Sequence, residues 1–237
     1  MILSFFILAA SLVAHADSDG DAWLQKIDRT ARVIDAHIVM DLTVTDARGR
    51  EKPRTIEIWQ KGDEKRLVRM VDPPRLRGIG LLANTGDTLH LYLPQYPPAR
   101  RVVGSKRSDA FMGTDFAIED LSRMTFGDDY TATIAEQVGR ETHLVLTSKT
   151  DATEPALHLW VDSSAVVRKI EHIDSNGMAS RRLILDDVRT IQGTPVPHYM
   201  KVTDLARNRA TEARIRGIKI GINVDDSLFS VSQLERQ

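Results

Sequence analysis

Apolar residues recur at helical spacing between Asp21 and Asp35; from His37 onward the period falls to two and stays there for most of the chain. Trp23, Ile27, Ala31 and Ile34 form one stripe at steps of four and three, which predicts an amphipathic helix capped by Asp19 or Asp21. In the strand-like runs, RTIEIWQK puts Ile56 and Ile58 on one face. DTLHLYLP opposes Leu89, Leu91 and Leu93 to His90 and Tyr92. The alternation returns in the runs ending at Lys149, Ser163, Gly177, Gly193, Asp204 and Ile220. Turn signals at Gly62-Asp63, Asn176-Gly177 and Gly193–Pro195 separate such runs. The spacing predicts a sequential antiparallel meander of about eleven strands. Beyond the first helix, only TDFAIEDLSRM and the tail DDSLFSVSQLER read as helical.

Alternation on nearly every strand leaves one face of the sheet apolar, and that face must be hidden. Too few helices are predicted to cover it fully. The expected fold is therefore mainly β (α+β): a curved, partly open antiparallel barrel with helices as a lid and a cavity inside.

The chain's 237 residues, 42% of them hydrophobic, suffice for a sizeable core. A net charge of −1, a pI near 6.7 and 5% aromatics speak against a nucleic-acid partner. The opening MILSFFILAASLVAHA reads as a cleavable export signal: an apolar run from Ile2 to Val13 precedes the small-x-small site Ala14-His15-Ala16. Cleavage is expected after Ala16. No Lys or Arg precedes the run, and a buried N-terminal helix is the alternative. With no cysteine, a periplasmic protein has neither disulfides nor a lipid-modified Cys; residues 17–237 would form one domain held together by its core.

Candidate chemistry is sparse. Cysteine catalysis is impossible, and G-x-S-x-G, P-loop and G-x-G-x-x-G motifs are absent. His37, His90, His143, His158, His172 and His198 are scattered singly, and the strand parity of His90, His143 and His158 puts them on the wet face, where only register could bring them together around a metal. Asp115, Glu119 and Asp120 could form a carboxylate cluster, but Thr114 or Asp115 also fits an N-cap followed by acids in a helix's first turn. Capping is the favoured reading, because no base, nucleophile or metal partner is identifiable. The basic run RRVVGSKR from Arg100 to Arg107 reads as a charged strand edge, with a membrane-facing or acidic-partner surface as the alternative.

The order of segments carries a more specific signal. RGIGLL, LYLP, ARRV and FMGTDFAIEDL follow one another between Arg77 and Leu121, and GINVDDSLFSVSQLE closes the chain. This succession resembles the outer-membrane lipoprotein-sorting (LolA-like) family, with Thr114 where that family usually has Ser and Ala117-Ile118 where it has Ser-Tyr. The resemblance runs over most of the chain after the export segment. It implies a half-barrel of about eleven strands with a helical lid, no catalytic residue and no cofactor. Its concave face would hold a lipid, lipoprotein acyl chains or another hydrophobic ligand. It also implies a partnership with an inner-membrane transporter, of RND type in the relatives nearest this motif, or with an outer-membrane acceptor.

The apolar parity assigns the cavity wall to Ile56, Ile58, Leu89, Leu91, Leu93, Leu144, Leu146, Leu157, Leu159, Val161, Leu183, Leu185 and Met200. The lid would comprise Phe111, Met112, Gly113, Phe116, Ile118 and Leu121. A carrier of this kind needs only burial: a chain of about sixteen carbons, fully covered, gains on the order of 10 kcal/mol at about 0.8 kcal/mol per CH₂. The alternative for each wall residue is plain core. For the whole protein it is a non-transporting interaction or envelope-stress sensor module of the same fold.

Overall fold

The computed structural model describes residues 13–84, 88–150 and 156–236, with side chains described from residue 19. Of the expected apolar export run from Ile2 to Val13, only Val13 lies within the described residues, as the first residue of helix α1 (Val13–Ala31). Because α1 is already under way at Asp19 and Asp21, neither caps it. Asp21 Oδ1 instead accepts a hydrogen bond of 2.8 Å from the Ala132 amide. The buried stripe runs through Gly20, Leu24 and Ile27, whereas Ile34 lies beyond the helix end and is 76% exposed.

The chain forms one antiparallel sheet. Its first half supplies β1 (Asp35–Thr45), β2 (Glu51–Lys61), β3 (Lys65–Asp72), β4 (Gly80–Asn84), β5 (Thr88–Tyr92) and β6 (Arg100–Arg101). Its second half supplies β7 (Tyr130–Val138), β8 (Glu141–Ser148), β9 (Leu157–Asp162), β10 (Val167–Ile173), β11 (Ala179–Ile191), β12 (Thr194–Asp204) and β13 (Arg209–Ile220). Each half is a sequential meander, as the turn signals predict. The halves join where β1 pairs with β13, Ala36 opposite Ile220 and Val44 opposite Thr211. The order is therefore β6-β5-β4-β3-β2-β1-β13-β12-β11-β10-β9-β8-β7, with β6 and β7 at the two open edges. Register shifts between Val39 and Met40 and between Thr55 and Ile56 bend the sheet, as bulges do. Arg100 and Arg101 are exposed on edge strand β6, where charge discourages further pairing. Among the described residues no helix is long and apolar enough to cross a membrane.

Three separate clusters hide the apolar surface. Under α1, Leu24 and Ile27 pack on Leu144, Leu146, Leu157, Leu159 and Val161. Over β1–β5, the segment from Phe111 to Leu121 packs on Met40, Ile56, Val68, Leu81 and Leu89. On the opposite face of β3–β5, the closing segment places Val224, Phe229 and Leu234 on Leu67, Leu82 and Tyr92. Tyr92 is therefore buried, not wet as alternation alone suggests: a second layer covers the convex side here, built from the 3-10 turn Asp226–Phe229 and helix α3 (Val231–Leu234).

Candidate functional site

The covering segment owes its shape to a tight backbone loop. Phe111 N–H donates to Phe116 O (2.8 Å), Thr114 Oγ1 donates to Phe111 O (2.7 Å), and Met112 and Gly113 adopt positive φ of 48° and 75°. Gly113 suits that conformation because it has no Cβ; Met112 accepts it under constraint. Helix α2 then runs only from Ile118 to Ser122. Its cap is neither Thr114 nor Asp115. Ala117 is the N-cap, and its N–H donates to Asp120 Oδ2 (2.8 Å).

The three acids of this segment are all engaged. Asp115, 6% exposed, accepts from the Thr211 hydroxyl at 2.7 Å and lies 3.4 Å from Arg209 Nε. Burial pushes its carboxyl above the ordinary range, against the opposing pull of Thr211 and Arg209. Asp120 meets Arg181 Nη2 at 3.1 Å and His172 Nε2 at 3.4 Å, and Glu119 lies 3.6 Å from Arg181. Burial acts to raise the Asp120 carboxyl, but the His172 hydrogen bond and the Arg181 charge outweigh it and hold it below the ordinary range. These contacts tie the segment to β10, β11 and β13.

Between α1 on one side and the covering segment on the other, the concave face stays partly open. The resulting cavity has a volume of about 320 Å³. Its walls come from Ile27 of α1, Ile38 and Met40 of β1, Ile58 of β2, Ile170 of β10, Leu183 and Leu185 of β11, Met200 of β12 and Ile215 of β13, with Phe116 and Leu121 as the roof. Its polar rim includes Arg66, which donates to Leu121 O (3.2 Å), Arg123 O (2.7 Å) and Gln60 Oε1 (2.6 Å). Desolvation lowers the Arg66 guanidinium to about 10, so it stays charged at neutral pH while bridging sheet and cover.

Of the thirteen residues expected in the wall, the structure gathers Ile58, Leu157, Leu183, Leu185 and Met200 at this cavity. Ile56, Leu89, Leu91 and Leu93 pack beneath the covering segment, and Leu144, Leu146, Leu159 and Val161 beneath α1. Of the expected lid, Phe116 and Leu121 face the cavity, and Phe111 and Ile118 pack into the sheet. Met112 and Gly113 border a different opening, near the β1–β2 hairpin. Sequence reading missed Arg54 and Arg66. The available signal was parity: Arg54 and Gln60 flank Ile56 and Ile58 at every second position, so charge and amide continue an apolar row.

The histidines are not all solitary. Register brings His143 Nε2 within 3.0 Å of His158 Nδ1, with the His143 ring stacked on Trp160 at 4.3 Å and Lys169 Nζ 3.3 Å above the Trp160 ring. Burial lowers both imidazoles, followed by the charges of His158 and Lys169 at His143 and by that of Lys169 at His158. Among the described residues, no group of three or more His, Asp or Glu has the arrangement to hold a metal ion.

Solved structures with this architecture are similar over nearly the whole chain. An outer membrane lipoprotein-sorting protein domain from Vibrio parahaemolyticus matches with TM-score 0.82 and 20% identity, covering 93% of this chain and 100% of its own. A DUF1329 family protein from Desulfovibrio piger matches with TM-score 0.84 and 20% identity, over 92% of this chain and 99% of its own. A LolA superfamily protein from Nitrosomonas europaea matches with TM-score 0.74 and 20% identity, over 89% and 97%. No curated protein matches the chain. A family model described only as "-like: Uncharacterized protein" matches residues 62–236. The chain belongs to the family that this model defines, and its fold is that of the LolA-like, lipoprotein-sorting half-barrels.

Proposed function

We propose that this protein is a periplasmic, non-enzymatic carrier that takes a lipid, lipoprotein acyl chains or another hydrophobic molecule into the concave face of its sheet. The observation that carries this reading is the cavity of about 320 Å³ between α1 and the covering segment, walled by Ile38, Met40, Ile58, Leu183, Leu185 and Met200. Its size falls at the lower end of the usual range for ligand pockets, and apolar walls with a few polar rim groups suit an aliphatic guest. Three methionines in the lining, Met40, Met124 and Met200, adapt to guests of irregular shape. Segment 111–121 acts as a lid, latched by Arg66 to the carbonyls of Leu121 and Arg123. A longer guest is accommodated when these hydrogen bonds release. Handover then goes to a membrane or partner protein, an inner-membrane transporter or an outer-membrane acceptor.

The test is uptake of a fluorescent fatty acid by the full chain and by Leu185→Trp, which fills the cavity. Saturable uptake that the substitution abolishes supports the reading. Uptake unchanged in Leu185→Trp counts against it.

A further inference from the structure

A second opening lies at the β1–β2 hairpin end of the sheet, beside the covering loop and lined by none of the residues of the apolar cavity. It has a volume of about 620 Å³ and is lined by Val44, Leu76, Met112 and Gly113 together with six cationic side chains and one acid, Asp46. We propose that this pocket binds a phosphate-type oxyanion, held chiefly by Arg54 and Arg75 with Lys52 and Arg209 beside them. The site stands whether or not the apolar cavity carries a guest.

The charge is unbalanced inside the pocket itself. Asp46 is already taken up by Arg50, at 2.8 Å to both Nε and Nη2, and by the amides of Arg48 and Arg50. Arg209 donates to Gly113 O at 3.0 Å and faces Asp115 at 3.4 Å. Among the described residues no carboxylate forms an ion pair with Arg54 or Arg75.

Arg54 is the decisive group. It sits opposite Leu42 in the register and continues the inward row of Ile56 and Ile58, so the residue as a whole is only 6% exposed. Among the described residues its one hydrogen bond runs from Nη1 to the neighbouring Pro53 O at 2.8 Å, and its buried Nε has no partner. A buried cation with an unsatisfied donor is costly unless an anion meets it. Desolvation first, then the neighbouring charge of Arg75, lower the Arg54 guanidinium below its ordinary value, as expected for two cations held side by side. Planar guanidinium forks match the several oxygens of a phosphate better than one carboxylate, which would satisfy Arg54 alone. A phosphate headgroup and free inorganic phosphate share this chemistry.

The test titrates the full chain with inorganic phosphate and pyrophosphate by calorimetry, and floats it with vesicles of phosphatidylglycerol or phosphatidylcholine. Each is repeated on Arg54→Met and on Arg75→Gln, the latter an exposed position that leaves the core intact. The expected result is saturable binding of at least one phosphate species or of phosphatidylglycerol vesicles, weakened about tenfold or more in either variant, as loss of a charge-assisted hydrogen bond implies. Flotation with phosphatidylglycerol alone identifies a lipid headgroup as the source; calorimetric binding alone identifies a free phosphate. Absence of binding in every arm, or binding equally strong in both variants, overturns the proposal.

Discussion

Asp115 and Thr211 exchange two hydrogen bonds across 96 residues of sequence: the Asp115 amide donates to Thr211 Oγ1 at 2.9 Å, and the Thr211 hydroxyl donates to Asp115 Oδ2 at 2.7 Å. Both residues are buried, at 6% and 0% exposure. The pair fastens the covering loop to β13, the strand that joins the two halves of the sheet. Thr211→Val keeps the shape but leaves a buried amide and a buried carboxylate short of partners. The expected cost is about 1–3 kcal/mol by chemical denaturation. Faster amide exchange in residues 111–121 should accompany it, while Thr211→Ser stays near wild type.

The second prediction concerns acid. Asp120 is held below its ordinary value of 3.8 because the His172 hydrogen bond, the Arg181 charge and the Ala117 amide together outweigh the penalty of burial. A carboxyl lowered on folding contributes stability that is complete above 3.8 and lost as pH falls through the lowered value. Asp120→Asn should therefore be less stable than wild type at neutral pH. Thermal unfolding over a pH series should show that gap closing below 3.8. A gap of constant size at every pH would contradict the assignment.

A third prediction concerns the seat of α1. A Cβ at Gly20 would lie 1.9 Å from Ala132 O and 2.5 Å from Ala132 C. These are backbone atoms of β7 and cannot rotate away, so Gly20→Ala must push the helix off the strand. Overpacking of this kind costs about 1–3 kcal/mol. The Asp21 hydrogen bond to Ala132 should weaken with it, read as a lower melting temperature and faster exchange at the Ala132 amide.

Much of this architecture was legible in the sequence, because alternation reports which face of a strand is covered. Leu144, Leu146, Leu157, Leu159 and Val161 alternate and are all buried. The resemblance carried by FMGTDFAIEDL agrees with a segment that folds over the concave face. Alternation does not report what covers the other face. Tyr92 reads as wet and is buried, because the tail from Val224 returns across 132 residues to pack on it. Nor does it report register: His143 and His158 meet only because β8 and β9 pair with Leu144 opposite Leu159. The apolar wall likewise divides among α1, the covering segment and the cavity according to where helices land, which no strand encodes. Arg54 and Arg66 are not legible because long charged side chains read as solvated by default, whereas Arg54 is only 6% exposed and its Nε is buried.

The most direct test of the central claim is native mass spectrometry, with lipid extraction, of the chain produced in a periplasm and purified gently. Wild type should carry a hydrophobic molecule, and Met200→Trp, which fills the cavity, should emerge without it while melting near the wild-type temperature. Wild type that is empty across repeated preparations, or Met200→Trp loaded to the same extent, would contradict the carrier account.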